Sequence, residues 1–163
     1  MSEIDKNQAV IDYLNTCPSI AENPLFFNFA NAKDENKQIS VKSSDKNKNR
    51  QYIDGSVEKQ FAFTIYDFKS ISYNAIVTIP GFSNENVDEL KTIQGIIDWV
   101  TEQNEIQNFP NFGSTCIIDS IYTTTENPDL VGVDKTVSPQ VAVYAITINV
   151  DYLDISKKVW QNN

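Results

Sequence analysis

Two cysteines, 22 carboxylate residues, 13 lysines and arginines and no histidine are what this chain has for doing chemistry. Without histidine it lacks the usual general base at neutral pH and the commonest ligand for zinc or copper. Cys17 and Cys116 stand far apart, with no CxxC spacing. Only a thiolate attacks, so a cysteine nucleophile here would need an activator other than imidazole. Both cysteines read as ordinary semi-buried thiols. Asp45-Lys46-Asn47-Lys48-Asn49 superficially alternates oxygen ligands as a calcium loop does. It has no central glycine and no closing glutamate, and two lysines would repel the ion. The carboxylate pair Asp88 and Glu89 falls in the first turn of an expected helix, where it serves the dipole. No GxGxxG, GxxxxGKS/T, GxSxG or HExxH occurs. These residues lead us to expect no catalytic centre, no metal and no cofactor.

Charge is unevenly spread instead. Residues 33–50 hold Lys33, Lys37, Lys42, Lys46, Lys48 and Arg50 against Asp34, Glu35 and Asp45, a local +3 in a chain of net −9. The rest of the chain then carries 7 positive and 19 negative charges. That acidity argues against nucleic acid as the main partner, because phosphate binding runs on clustered cations. A cationic segment on an acidic body can dock copy to copy, and such complementarity steers encounter and register more than it adds affinity. The connector 126–139 is the second unusual feature, with Leu130, Val131, Val133 and Val137. Exposed apolar surface costs about 25 cal/mol per Å², so these four either fold back on the domain or meet a partner. Lys37, Lys46, Lys48 and Arg50, with the four aliphatic residues, are the candidate partner contacts.

The elements that must position these residues follow from periodicity. At 163 residues and 40% hydrophobic, the sequence predicts one folded domain over 1–163. Ile4, Val10, Ile11 and Leu14 fall at helical spacing after a Ser2 cap, and Pro18 ends that helix. A hairpin is expected over Leu25–Lys42, turning at Lys33–Lys37, followed by a polar loop from Ser43 to Arg50. Gln51–Asn74 is the longest strand candidate, with aromatics on both faces. A second helix starts at Ser83 or Asn84, and Val87, Leu90, Ile93, Ile96, Ile97 and Val100 form its apolar stripe. Gly95 interrupts it, as a close approach to a strand would explain, or as a position without constraint would allow. Strands are expected over Thr115–Thr125 and Gln140–Tyr152. In the first, Cys116, Ile118, Ser120 and Tyr122 share one face. The order helix, three strands, helix, two strands predicts an α+β domain, its antiparallel-rich sheet of four to five strands packed on one face by two helices. The first residues carry no basic and apolar leader, and no apolar run nears the roughly 20 residues of a membrane span. The chain is expected to be made in the cytoplasm, reduced and unanchored.

These elements resemble the tail-terminator family of long-tailed bacteriophages and prophages, also labelled minor capsid proteins. The similar stretches are the first helix closing in Cys17-Pro18-Ser19-Ile20, the strand Phe61–Phe68, the helix from Val87 running on to Gly113, and the strand Tyr144–Tyr152. The resemblance implies a small α+β protein that closes as a hexameric ring on the head-proximal end of the tail tube. There it stops polymerisation and presents the surface that the head joins. It implies a virion location and three partners: further copies of itself, the tail tube protein and the head–tail connector protein. No catalytic residues come with it. The competing reading is a small-molecule-binding or isomerase-like domain whose curved sheet forms a pocket lined by Phe26, Phe29, Phe61, Phe63, Tyr66 and Tyr144, residues that serve equally as a plain aromatic core. Another tail or neck component is a third reading.

Overall fold

A computed structural model of the chain describes residues 3–21, 25–27, 39–70, 90–136 and 140–159. The expected caps at Ser2 and Ser83/Asn84, the Lys33–Lys37 turn and Phe29 lie outside the described residues. The described elements are α1 (Glu3–Leu14), α2 (Pro18–Ala21), β1 (Leu25–Phe27), β2 (Ile39–Gln51), β3 (Val57–Ser70), α3 (Lys91–Glu105), β4 (Cys116–Thr123), β5 (Asp129–Asp134) and β6 (Val141–Asp154). Helices and one largely antiparallel sheet make the fold broadly α+β. The strand order is β1-β2-β3-β6-β4, and β5 also pairs with β6.

β3 and β6 pair antiparallel along their whole length, from Val57 opposite Asp154 to Ser70 opposite Val141. Their facing side chains Phe61 and Val150, Phe63 and Ile148, and Ile65 and Ile146 are all almost completely buried. These strands join Val10, Tyr13 and Leu14 of α1, Ile93, Ile96 and Val100 of α3, and Phe112 in one apolar cluster. Phe112 packs edge-on against Phe61 and Tyr152, each at 5.5 Å between ring centroids, the quadrupole-favoured arrangement. The first helix follows the expected period, but its stripe is shifted: Ile11 is only half-buried, while Lys6 is 5% exposed. The Lys6 Nζ donates to the Tyr152 hydroxyl at 2.6 Å and sits 4.8 Å from that ring's centroid. Its aliphatic stem thus packs while the ammonium keeps a polar partner.

Five expectations require correction. Residues 43–50 are strand, not loop: β2 runs from Ile39 to Gln51 and pairs antiparallel with β3. The ladder to an apolar central strand holds this stretch extended although it has no apolar residue of its own. Leu25–Phe27 and Ile39–Val41 pair in parallel, so they are not the two arms of a hairpin. Part of the 126–139 connector is β5, which continues β4 along the same edge of β6; between them Thr124 N–H donates to the Thr147 carbonyl at 2.8 Å. A register shift between Ile118 and Ser120 also breaks the expected alternation in β4. It leaves Ile121 opposite Val150 and fully buried, and Tyr122 opposite Asn149. Gly95 does mark a close approach, but to a helix: a Cβ there would run into the Ser19 hydroxyl of α2.

The actual hairpin joins β2 and β3 through a five-residue turn, 52–56. Asp54 Oδ1 accepts from the Ser56 N–H at 3.0 Å and from its hydroxyl at 2.6 Å. The chain after β6 docks against this turn, with Val159 N–H donating to the Asp54 carbonyl at 2.7 Å. Gly55 sits at φ +87°, and a Cβ there would strike the Lys157 carbonyl. Replacing Gly55 with alanine is expected to cost at least the 1–2 kcal/mol or so of left-handed backbone strain, read as a lower urea midpoint. An unchanged midpoint would mean the turn and the segment after β6 are not clamped together.

Candidate functional site

The sequence candidates fall on the two edges of one sheet. On the first edge, β2 is partnered by β1 only over Ile39–Val41. From Lys42 to Gln51 no described strand covers its outer side. Lys42 lies opposite Thr64, Lys46 opposite Gln60 and Arg50 opposite Glu58, all on the strand positions of β3 that alternate with the core residues. Lys48 falls where the register shifts between Asn47 and Arg50. The Arg50 guanidinium is exposed, 4.0 Å from Glu58 and 5.5 Å from the Tyr52 ring centroid. An exposed pair of this kind adds little stability. Over Ile39–Gln51 the strand has four cations and one carboxylate, a net +3.

On the second edge, Leu130, Val131 and Val133 are exposed on β5, at 57%, 59% and 37%. Two further strands, β3 and β6, separate this edge from β2, about 14 Å at the usual strand spacing. Lys37 and Val137 lie outside the described residues. The structure therefore does not bring the two candidate sets together; it places them back to back across the sheet. Acidic residues on the second edge went unnoticed in the sequence: Glu126, Asp129 and Asp134 lie within 124–134, a stretch with no cation. Among the described residues none of the three meets a cation. The Thr136 hydroxyl and N–H donate to Asp134 Oδ1 at 2.6 and 2.8 Å and hold that carboxyl below the usual carboxylate range. A count of charge strand by strand would have exposed the asymmetry.

The face of β3 and β6 away from the core cluster carries a polar ladder. Thr64 and Thr147 hydroxyls meet at 2.9 Å, Gln60 donates to Asp151 at 2.9 Å and to the Tyr122 hydroxyl at 3.0 Å, and Asn149 donates to Thr124 at 3.0 Å. Of the aromatics that could line a pocket, Phe61 and Phe63 are 1% exposed and fill the core instead. Tyr66 and Tyr144 are half-buried, and nothing is described of Phe26's side chain. Burial pushes both the Cys17 and the Cys116 thiol up, away from the thiolate form. Among the described residues no group of three or more cysteines and carboxylates is placed to hold a metal ion, and no helix is long and apolar enough to cross a membrane.

A concavity of about 450 Å³ lies beside the β2–β3 turn, lined by Gln51, Gly55, Val57, Lys59, Asp154, Ser156 and Lys157. Its polar centre is the Lys59–Asp154 ion pair at 2.7 Å. Burial acts to raise the Asp154 pKa, but hydrogen bonds from Lys59 and Ser156 and the lysine's charge outweigh it and hold the carboxyl well below its usual range. A depressed folded-state pKa stabilises above the unfolded value of 3.8 and is lost as pH falls toward the folded value. Asp154→Asn keeps an acceptor for the Ser156 N–H while removing the charge, and is expected to cost about 1–2 kcal/mol at pH 7. Urea unfolding should show that gap shrinking below about pH 4; a gap independent of pH would refute the pairing.

No protein-family model matches this chain, and no curated protein matches it.

Proposed function

We propose that this protein is a structural subunit of phage tail assembly, of the tail-terminator kind. Its fold is read as one antiparallel-rich sheet packed on one face by α1 and α3, forming a single domain over the whole chain. Copies close as a ring, six in number, on the head-proximal end of the tail tube in the virion, after synthesis in the host cytoplasm. The ring stops tube growth and offers the head–tail connector a joining surface. It works through protein surfaces, without catalysis or cofactor.

One observation carries this reading: a single sheet ends in a basic edge on one side and an acidic, partly aliphatic edge on the other. A contact between two different patches of one chain repeats around a rotation, and it closes as a ring or runs on as a fibre. A tube stops growing when its last ring binds a subunit whose far side offers no further copy of the tube contact. The resemblance of element order to tail terminators supplies the place of action.

The test is to add the purified protein to growing tail tubes and image them by negative stain. Rings at one tube end and arrested growth are expected. Tubes that elongate unchanged with the protein in excess would overturn the proposal, as would a strictly monomeric protein with a metabolite bound in the concavity beside the β2–β3 turn. The charge reversal K46E/K48E/R50E should abolish capping while leaving the thermal midpoint within a degree or two, since Lys46 and Arg50 pair with Gln60 and Glu58, positions of β3 that alternate with the buried Phe61 and Phe63.

A further inference from the structure

Sheet edges are surfaces that folded proteins guard, because their unpaired N–H and C=O groups recruit other strands. This molecule guards one part of its second edge. The Asn104 side chain of α3 reaches over β4 and its Oδ1 accepts from the Ile121 N–H at 2.9 Å. β5 has no such cover among the described residues, and every residue from Asp129 to Val133 is exposed. On the opposite side, no strand among the described residues covers the outer edge of β2 from Lys42 onward.

We infer that β5 of one copy adds to the outer edge of β2 in a second copy, so that the sheet continues from subunit to subunit. This rests on the assembly role proposed above and specifies which surfaces meet. Strand direction permits it. β2 runs antiparallel to β3, β3 to β6, and β6 to β5. Two copies in the same orientation side by side therefore bring β5 antiparallel to β2, which preserves the sheet's own pattern. Charge favours the same pairing: β2 carries net +3, and residues 124–134 carry three carboxylates and no cation, with Lys135 just beyond. Charge also excludes the alternatives. Two β2 edges repel each other, as do two β5 edges, so a two-fold dimer through like edges is disfavoured and the head-to-tail contact is selected. Leu130 and Val131, more than half exposed on the free strand, would lose that exposure against the neighbour.

The experiment uses two full-length variants. In K46E/K48E/R50E both edges become acidic; in E126K/D129K/D134K both become basic. Wild-type protein at about 0.1 M salt, where a Debye length near 10 Å screens the acidic body but not charges in contact, is expected to self-associate in sedimentation velocity runs. Raising the salt to 1 M should weaken association at least tenfold. Each variant alone should be monomeric with a native circular dichroism spectrum. An equimolar mixture should recover association, because each basic edge then meets an acidic one, and the assemblies should contain equal amounts of both chains. Variants that associate as wild type does, a folded pair whose mixture stays monomeric, or wild type that is monomeric at 0.1 M salt would each overturn the edge pairing. If either triple variant fails to fold, the milder pair K46E/R50E with D129K/D134K carries the same test. Capping of tail tubes by a wild type that fails this test would leave the assembly role standing and the edge contact wrong.

Discussion

The full-length antiparallel ladder between β3 and β6 is the interaction on which the rest of the molecule depends. Fourteen residues of each strand pair without a register break, and the large buried side chains Phe61, Phe63, Ile65, Ile146, Ile148 and Val150 share one face. Everything else is attached to that ribbon. The helices complete the apolar cluster on its buried face, β2 uses one long side, and β4 and β5 share the other. Because β3 and β6 are central, their own edges are satisfied, and the unpaired backbone is displaced outward to strands that are short, polar or broken. The ribbon decides where the sheet ends, and so decides which residues can meet another protein.

The energetic division of labour follows from that geometry. The largest buried apolar side chains, Phe61, Phe63, Ile146 and Ile148 among them, lie on the face of the core cluster and have almost no exposure. The opposite face of the same strands is held by side-chain hydrogen bonds among Thr64, Thr147, Gln60 and Asp151, which fix register at a cost in apolar burial. Of the second edge, β4 adds Ile121 to the core cluster, while Asp129–Val133 of β5 are exposed. β2 is strand because β3 offers it a ladder, although eight successive residues of it, 43–50, have no apolar side chain. The same composition that makes β2 a weak structural element makes it a charged surface.

Much of this was legible in the sequence, for reasons that can be stated residue by residue. The alternation of Phe61, Phe63 and Ile65 and of Ile146, Ile148 and Val150 is strong enough that both central strands could be located, although aromatics on both faces of the first left its buried face open. The three- and four-residue spacing of Ile93, Ile96, Ile97 and Val100 did the same for α3. What could not be read were elements defined by their neighbours. Residues 43–50 have no hydrophobic signal, yet Lys46, Lys48 and Arg50 recur at every second position, which is a strand period written in charge. Pro128 and Gly132 disguised β5 as a loop, and the bulge near Asp119 inverted the faces of β4. The separation of the described candidate residues onto opposite edges is a property of topology that no local window contains. The carboxylates at 126, 129 and 134 escaped notice because they are scattered in an already acidic chain.

The claim at the centre is that the outer edges of β2 and β5, uncovered among the described residues, are where copies of this protein meet. Amide hydrogen exchange, followed in dilute protein and again in the assembled particle, addresses it directly. The account predicts that amides of Asp129–Asp134 and of residues 42–51 become protected together on assembly, while those of β3 and β6 are slow in both states. Unchanged exchange at both edges in a fully assembled particle, with new protection on the polar face or the helices instead, would contradict it.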